Sequence, residues 1–259
     1  APAHQREDVA LVAPHQLLVD LCVPTRAAVL HAVLLGETLY LAVAGAGVIS
    51  ISPFVGAGGP LMNNYVPVLQ APVFFVGLGV FGLGFLILVL HSLFSRSSMA
   101  TAGPGEKTLG FGLITGQVAA LIALLALAGS YKGTSSSLIG AQYYEVLFWG
   151  GGHAIQFTHT QLMLVAWLWL AWVSQARPPL SPRVAILILG LGAAPVLLIL
   201  PLYLRYEIGS AYHMLGLTWL MPNWISIAAT ASVVIAIELQ VRFVEEPYLR
   251  RVHGDTYDR

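Results

Sequence analysis

Residues 147–161 read Leu-Phe-Trp-Gly-Gly-Gly-His-Ala-Ile-Gln-Phe-Thr-His-Thr-Gln and open an apolar run that continues through Val173. A run of this length favours a membrane-spanning helix, and it carries two histidines, His153 and His159. Imidazole in hydrocarbon is costly unless it faces protein, water or a bound group, so ionisable residues inside spans usually mark functional sites. The run therefore predicts a membrane protein with a candidate functional site at His153.

The composition of the whole chain agrees with a membrane medium. Of its 259 residues, 57% are hydrophobic and 9% are charged, and the mean hydropathy is +0.78. Soluble domains carry about a quarter of charged residues, so we predict an integral membrane protein with the lipid bilayer as partner. The neutral net charge, without a basic patch interleaved with aromatic residues, predicts no nucleic-acid partner.

Six apolar stretches are each long enough to cross about 30 Å of hydrocarbon at about 1.5 Å per residue. They cover residues 27–52, 73–94, 109–129, 147–174, 184–204 and 223–243. The predicted fold is all-α, a polytopic transmembrane helix bundle at 27–243. A cytoplasmic N-terminal segment (1–26) and a cytoplasmic juxtamembrane tail (244–259) flank it.

The charges of the loops predict the orientation. Six spans place both termini on one side, and that side then holds ten of the twelve basic residues, whereas the other side holds Lys132 and Arg205. The ten are Arg6, Arg26, Arg96, Lys107, Arg177, Arg183, Arg242, Arg250, Arg251 and Arg259. Because cytoplasmic loops carry the excess of Lys and Arg, both termini are predicted to be cytoplasmic.

The outer connection at residues 53–72 contains no charge and includes the turn-forming run Asn63-Asn64-Tyr65. Such a connection is expected to pack over a buried cavity. The alternative is an ordinary interfacial turn that uses its prolines and glycines for geometry.

Helical spacing in the run at 147–173 places His153, Gln156, Phe157 and Thr160 along one stripe, while His159 is rotated by about 120° from His153. The two histidines therefore do not form a metal pair on one face, and each needs partners from other helices. Three glycines at 150–152 remove the side chains just before His153. A neighbouring backbone or a flat macrocycle could then approach, or the helices could simply pack closely with His153 hydrogen-bonded to a neighbour.

The segment 148–157, Phe-Trp-Gly-Gly-Gly-His-Ala-Ile-Gln-Phe, resembles the metal-ligand helix of subunit I of the haem-copper oxidase superfamily, which includes terminal oxidases and nitric oxide reductases. The uncharged stretch from Pro53 to Pro67 also resembles the connection between the third and fourth helices in divergent members. The resemblance covers roughly residues 27–204, and its spans from 27–52 to 147–174 correspond to the third to sixth helices of the family.

The resemblance implies an oxidoreductase of a bacterial-type cytoplasmic membrane that reduces oxygen or nitric oxide at a centre of haem and copper or non-haem iron. Its implied partners are other respiratory-complex subunits and cytochrome c or quinol as electron donor. The implied site residues are His153 for the metal, Gly151, Gly152, Gln156 and His159 for cofactor binding, and Glu37 for proton relay.

The sequence also departs from the family. Phe157 stands where many oxidases have a tyrosine cross-linked to the ligand histidine, which favours the C-family oxidase or nitric oxide reductase branch. A later His-His pair and a His-x-His are missing, so either the other ligands lie beyond this chain or the protein is a degenerate relative. Taken alone, Gln156 is better explained as an interhelical hydrogen-bonding residue. Glu37 could equally be a neutral carboxyl bonded to Tyr40 or to the backbone. For His213, in the outer connection beside Tyr212 and Trp219, an interfacial role is favoured over a gating or quinol-facing one.

The C-terminal stretch 242–257, Arg-Phe-Val-Glu-Glu-Pro-Tyr-Leu-Arg-Arg-Val-His-Gly-Asp-Thr-Tyr, supports a competing resemblance. It is similar to the tail of membrane methyltransferases of the isoprenylcysteine carboxyl methyltransferase type, which implies binding of S-adenosylmethionine, although the upstream Arg-His-Pro element is missing. An amphipathic juxtamembrane helix anchored by Arg242, Arg250 and Arg251 explains the same residues without chemistry. A non-catalytic membrane subunit is a third alternative.

The orientation can be tested with topology reporters. A reporter fused after Arg259 should report the cytoplasm, and one inserted near Gly58 should report the outside, because the basic residues divide ten to two. Reporters with the opposite readouts would contradict the predicted orientation.

Overall fold

A computed structural model describes residues 26–56, 58–94, 104–173, 181–221 and 245–254, and the fold is given for these ranges. They form long helices and one small β-hairpin. In chain order the elements are α1 (Arg26–Val55), β1 (Pro60–Leu61), β2 (Val68–Leu69), α2 (Pro72–Phe94), α3 (Pro104–Gly133), α4 (Gly140–Val173), α5 (Pro182–Ala193), a 3₁₀ segment (Ala194–Leu198), α6 (Ile199–Arg205), α7 (Ala211–Trp219) and α8 (Glu246–His253).

Four helical stretches are long and apolar enough to cross a membrane. They are Gly36–Val55, Pro72–Phe94, Gly105–Gly133 and Pro182–Arg205. These stretches correspond to the first, second, third and fifth apolar stretches of the sequence, so the prediction of a helical protein with helices able to cross a membrane is confirmed. The predicted span at 223–243 and nearly all of the N-terminal segment lie outside the described residues.

Helix α4, which carries the candidate site, has 34 residues and is therefore about 50 Å long. It begins at Gly140, well before the apolar stretch at 147, because the chain turns into it through a positive φ of 59° that glycine tolerates. The polar residues Gln156, His159 and Gln161 make its middle less apolar than the four stretches above.

Helices α1 and α2 form a hairpin whose two backbones approach closely at glycines. A Cβ at Gly45 of α1 would overlap the backbone of Phe81, and a Cβ at Gly77 of α2 would lie 2.8 Å from the backbone nitrogen of Ile49. Small residues allow such approach, which strengthens van der Waals packing between helices in lipid.

The main core lies between α3, α4 and the helices that follow. Helix α3 presents Ala119, Ala123 and Ala126 at spacings of one helical turn, and α4 packs Ala154 and Phe157 against them. The same cluster receives Val196 of the 3₁₀ segment, Ile199 of α6 and Leu217 of α7. This core holds the middle of α4 against α3 on one side and α6 and α7 on the other.

The apolar stretch at 184–204 folds as two helices joined by the 3₁₀ segment. Ser181 caps α5 by accepting a hydrogen bond from the backbone N–H of Val184, and Pro182 occupies its first turn. Pro195 has no N–H to continue the ladder, so the helix tightens to the 3₁₀ form before α6 begins.

The connection between α1 and α2 forms a two-stranded antiparallel hairpin, in which Pro60 pairs with Leu69 and Leu61 pairs with Val68. Val68 is 2% exposed and shares a cluster with Phe74 of α2 and Leu147 and Phe148 of α4. The connection thus packs on the N-terminal part of α4.

The close approach of α1 and α2 makes a prediction for two neighbouring glycines. Gly45→Ala should lower the free energy of unfolding by about 1–3 kcal/mol, because the new methyl group meets the backbone of Phe81, which cannot rotate away. Gly47→Ala is the matched control, since no atom lies within 4 Å of its Cβ position. SDS-induced unfolding of the purified proteins measures both, and equal stability of the two variants would contradict this packing.

Candidate functional site

The three glycines of α4 each accommodate a different neighbour. A Cβ at Gly150 would overlap the hydroxyl of Tyr203 from α6, and a Cβ at Gly152 would overlap the ring of Tyr65 from the α1–α2 connection. A Cβ at Gly151 would lie 3.2 Å from the carbonyl oxygen of Ala123 on α3. The space left by these missing side chains is therefore filled by two tyrosines and a helix backbone, where the sequence allowed either a backbone or a flat macrocycle.

His153 lies one residue after this run, and its side chain is 5% exposed. Its Nδ1 atom is 2.8 Å from the carbonyl oxygen of Trp149 and 2.8 Å from the hydroxyl oxygen of Tyr65. A carbonyl oxygen can only accept, so the contact with Trp149 assigns the proton to Nδ1. The lone pair of the neutral ring then lies on Nε2, which makes no hydrogen bond with the described residues.

Tyr65 brings the connection and α4 together through its hydroxyl group. Besides its contact with His153, the hydroxyl oxygen accepts a hydrogen bond of 3.3 Å from Nε2 of Gln156. The Tyr65 ring meets the rings of Trp149 and His153 edge to face, at centroid distances of 6.2 and 5.3 Å. Tyr65 therefore contacts two residues of the predicted stripe and the indole that precedes it.

The turn that presents Tyr65 is itself fixed by hydrogen bonds. Asn63 Oδ1 accepts from the backbone N–H of Val66 at 3.1 Å, and Asn63 Nδ2 donates to the carbonyl of Val66 at 2.6 Å. Asn64 donates from its backbone N–H to Glu145 Oε2 at 3.0 Å, and its amide group also bonds the Glu145 carboxylate. The Glu145 carboxylate thus anchors the turn to the start of α4, two turns before His153.

A second polar cluster lies on the Gly150 side of α4. The hydroxyl groups of Tyr203 and Ser130 are 2.7 Å apart, and the Tyr203 ring meets His213 edge to face at 4.6 Å. His213 has 0% exposure. Its Nδ1 faces the N–H of Gly209 at 3.5 Å, whereas its Nε2 has no hydrogen-bond partner within the described ranges.

Burial lowers the pKa of His213, which favours the neutral form of its ring. His213 was interpreted from the sequence as an interfacial residue, and the structure shows that its ring is covered by protein. A lone histidine in a connection carries no sequence signal for burial, and here the contacts of α7 with α6 cover it.

The predicted site residues fall into three groups. His153, Gln156 and Gly152 come together around Tyr65, and Gly151 faces α3. His159 is exposed on another face of α4, as the helical spacing predicts. Glu37 is exposed on α1.

Glu37, which the resemblance implies as a proton relay, is exposed among the described helices, and the buried face of α1 carries Thr38, Gly45 and Ser52. The positions of Gly151 and Gly152 face α3 and Tyr65 in this arrangement.

Sequence reasoning did not assign Tyr65, Trp149 and Glu145 to the site. The signal for Tyr65 was the turn Asn63-Asn64 within an uncharged connection, which predicted packing but not the partner. The partner lies 88 residues away along the chain, and only the folded contact of the connection with α4 identifies it.

Within the described ranges, no group of three or more His, Cys, Asp or Glu side chains could hold a metal ion. His153 is therefore a single candidate ligand. A three-ligand metal site would need side chains from outside these ranges.

Comparison with known proteins gives two relatives without a stated activity. No protein-family model and no solved structure matches the chain. An uncharacterized protein of Rickettsia prowazekii is 30% identical over 165 residues, which are 62% of this chain and 31% of the relative. An uncharacterized protein of Aquifex aeolicus is 35% identical over 129 residues, 50% of this chain and 33% of the relative. The chain thus spans about a third of the length of the curated relatives it matches.

The partial burial of Tyr65 predicts an unusual titration of its hydroxyl group. Burial raises its pKa to about 12, the nearby Glu145 carboxylate adds to the rise, and the hydrogen bond from Gln156 opposes it. An ordinary tyrosine ionises near pH 10. Subtracting the ultraviolet titration of Tyr65→Phe from that of the wild type should therefore isolate a phenolate step near pH 12.

The same shift has a consequence for stability. The folded protein keeps the Tyr65 proton longer than the unfolded chain, so the contribution of Tyr65 is fully present below about pH 10 and is lost as the pH rises through 12. A difference step near pH 10 would mean that the tyrosine is solvated and that the connection does not cover α4.

Proposed function

We propose that this chain forms part of a haem-copper oxidase-like membrane subunit that reduces oxygen or nitric oxide, with His153 as one ligand of the non-haem metal. The observation that carries the proposal is the engagement of the His153 ring through Nδ1 alone. Ligating histidines in proteins typically donate their other ring N–H to a carbonyl or carboxylate, which fixes the tautomer and the ring orientation. The Trp149 carbonyl takes this outer role, and Nε2 is the atom left to bind a metal.

The surroundings of the ring support a binding role over simple helix packing. A histidine that only joins two helices does not need one ring nitrogen left free. In His153 the carbonyl of its own helix and a tyrosine from the α1–α2 connection both contact Nδ1, so Nε2 is left free of described hydrogen bonds. The neutral tautomer with a lone pair on Nε2 is the form that a transition metal binds.

The described residues do not by themselves fit the complete metal or haem site. They supply one imidazole, and a functional centre requires further ligands. We therefore assign no reaction step to the metal or to haem, and the remaining ligands are proposed to come from outside the described ranges. About two thirds of each relative's length has no counterpart in this chain, so the activity and partners of the whole protein are proposals.

What the described side chains supply is positioning. Tyr65 and Trp149 hold the imidazole through Nδ1, Gln156 holds the Tyr65 hydroxyl, and Glu145 anchors the turn that carries Tyr65. In many oxidases a tyrosine four residues after the ligand histidine is cross-linked to it, and here that position is Phe157. Tyr65 instead brings a phenol to His153 from the α1–α2 connection. The connection excludes water from this side of the ring, because its apolar residues pack on α4.

The membrane setting of the proposal follows the sequence. We propose six spans with both termini cytoplasmic in a bacterial-type inner membrane, other respiratory subunits as partners, and cytochrome c or quinol as electron donor. A proton relay through Glu37 is not part of the proposal, since Glu37 is exposed on α1 and lies in neither polar cluster of the described residues. No described contact of α8 favours the methyltransferase alternative.

The proposal is tested by metal analysis of two histidine variants. His153→Ala in the complete protein, purified from haem-replete cells, should lose bound copper or iron, because water replaces the lost ligand poorly. The helices should still insert, since alanine is more apolar than histidine. His159→Ala is the matched control on an exposed face of the same helix and should keep its metal.

Two results would contradict this proposal. Unchanged metal content in His153→Ala would show that the histidine is structural. A wild-type preparation without a haem Soret band would exclude the haem-dependent function, and binding of S-adenosylmethionine measured by calorimetry would favour the methyltransferase instead.

A further inference from the structure

The short helix α8 (Glu246–His253) separates apolar and charged side chains onto different faces. At about 100° per residue, Tyr248, Leu249 and Val252 fall within one arc of about 100°, whereas Arg250 and Arg251 lie outside it. The long helices α1 to α4 have no comparable separation of apolar and charged side chains onto different faces. Helix α8 is therefore built for a boundary between an apolar and a polar medium.

The apolar arc of α8 is not covered by the described part of the protein. Tyr248 is 63% exposed and Val252 is 55% exposed, and none of the residues of the helix is buried. An exposed valine and tyrosine side by side leave apolar area in contact with water unless another surface covers them.

The charges of α8 are divided between its two ends. Glu246 lies in the first turn, and the last turn carries Arg250, Arg251 and His253, an arrangement that complements the helix dipole. The chain as a whole is neutral, so the last turn is a local concentration of positive charge beside the apolar arc. Basic side chains next to an apolar stripe are the pattern by which interfacial helices bind membranes that contain anionic lipids.

We propose that α8 lies in the membrane interface, with Tyr248 and Val252 facing the acyl chains and Arg250 and Arg251 facing anionic phospholipid headgroups. A bilayer surface is the occupant that this helix fits because the same chain carries helices able to cross a membrane. A protein groove that binds a helix contacts apolar side chains over at least two turns, at i, i+4 and i+7. The apolar arc of α8 runs only from Tyr248 to Val252, which is too short for that pattern.

Spin labelling of the full-length protein in proteoliposomes tests the depth of each face. In a Cys22→Ser background, Val252→Cys places a nitroxide on the apolar arc, and Arg250→Cys places the matched label on the charged face. Collision rates are measured with oxygen, which partitions into the bilayer, and with a water-soluble nickel chelate. The label at 252 should collide mainly with oxygen and the label at 250 mainly with the chelate.

The role of the charge is tested by lipid composition. Vesicles of phosphatidylcholine are compared with vesicles that also contain phosphatidylglycerol, and Arg251→Gln is introduced beside the label at 252. In the anionic vesicles this substitution should lower the ratio of labels at 252 that lie in the bilayer to labels that lie in water. The expected decrease is roughly fivefold, which corresponds to the loss of one basic residue near the surface. In phosphatidylcholine alone it should change little.

Each alternative outcome overturns the proposal. Equal access of the chelate to both labels would mean that α8 lies in water. An immobilised label at 252 that neither reagent reaches would mean that a protein surface covers the arc. A fall in binding that is the same in both lipid mixtures would mean that Arg251 does not contact anionic headgroups.

Discussion

The arrangement around His153 on α4 depends on three consecutive positions that have no side chain. Gly150, Gly151 and Gly152 face Tyr203, α3 and Tyr65 in turn, so one stretch of helix less than a turn long receives neighbours from three directions. A single methyl group at the first or third position would overlap a tyrosine. The exclusion of side chains at these positions therefore sets how close α6, α3 and the α1–α2 connection come to α4.

The position of His153 follows from this close approach. Tyr65 reaches Nδ1 of the imidazole because its ring lies against the helix at Gly152, and the Trp149 carbonyl is within reach because it belongs to the preceding turn. Both contacts involve the same nitrogen, which leaves the other free of described hydrogen bonds. Because the glycines allow this close packing, the His153 ring has a defined orientation and tautomer. A ligand-binding histidine needs both.

The parts of this account that the sequence predicted rest on local patterns. The apolar stretches predicted the four described helices that are long and apolar enough to cross a membrane, because the length of a span is fixed by the thickness of the bilayer. Helical spacing predicted that His153 and His159 face different ways, and the structure agrees, with His153 buried and His159 exposed. The cost of imidazole in hydrocarbon singled out His153 before any contact was known.

The parts that the sequence did not predict depend on contacts between distant segments. Nothing local to Glu37 indicates which face of α1 meets α2, since that is decided by the glycines and small residues on the other helix. His213 was interpreted as an interfacial residue because it lies in a connection, and only the fold shows that its ring is buried. Tyr65 was noticed only as part of a turn, and its partner on α4 is set by tertiary packing.

The central claim is that the proton of His153 lies on Nδ1 and the lone pair on Nε2. Nitrogen-15 NMR of the histidine-labelled protein in lipid, with His153→Ala as the reference that assigns its signals, measures the protonation of each ring nitrogen directly. The account predicts an Nδ1 with a bonded proton and an Nε2 without one, whether or not a metal is present. A proton found on Nε2 of His153 would contradict both the hydrogen bond to Trp149 and the role of the ring as a ligand.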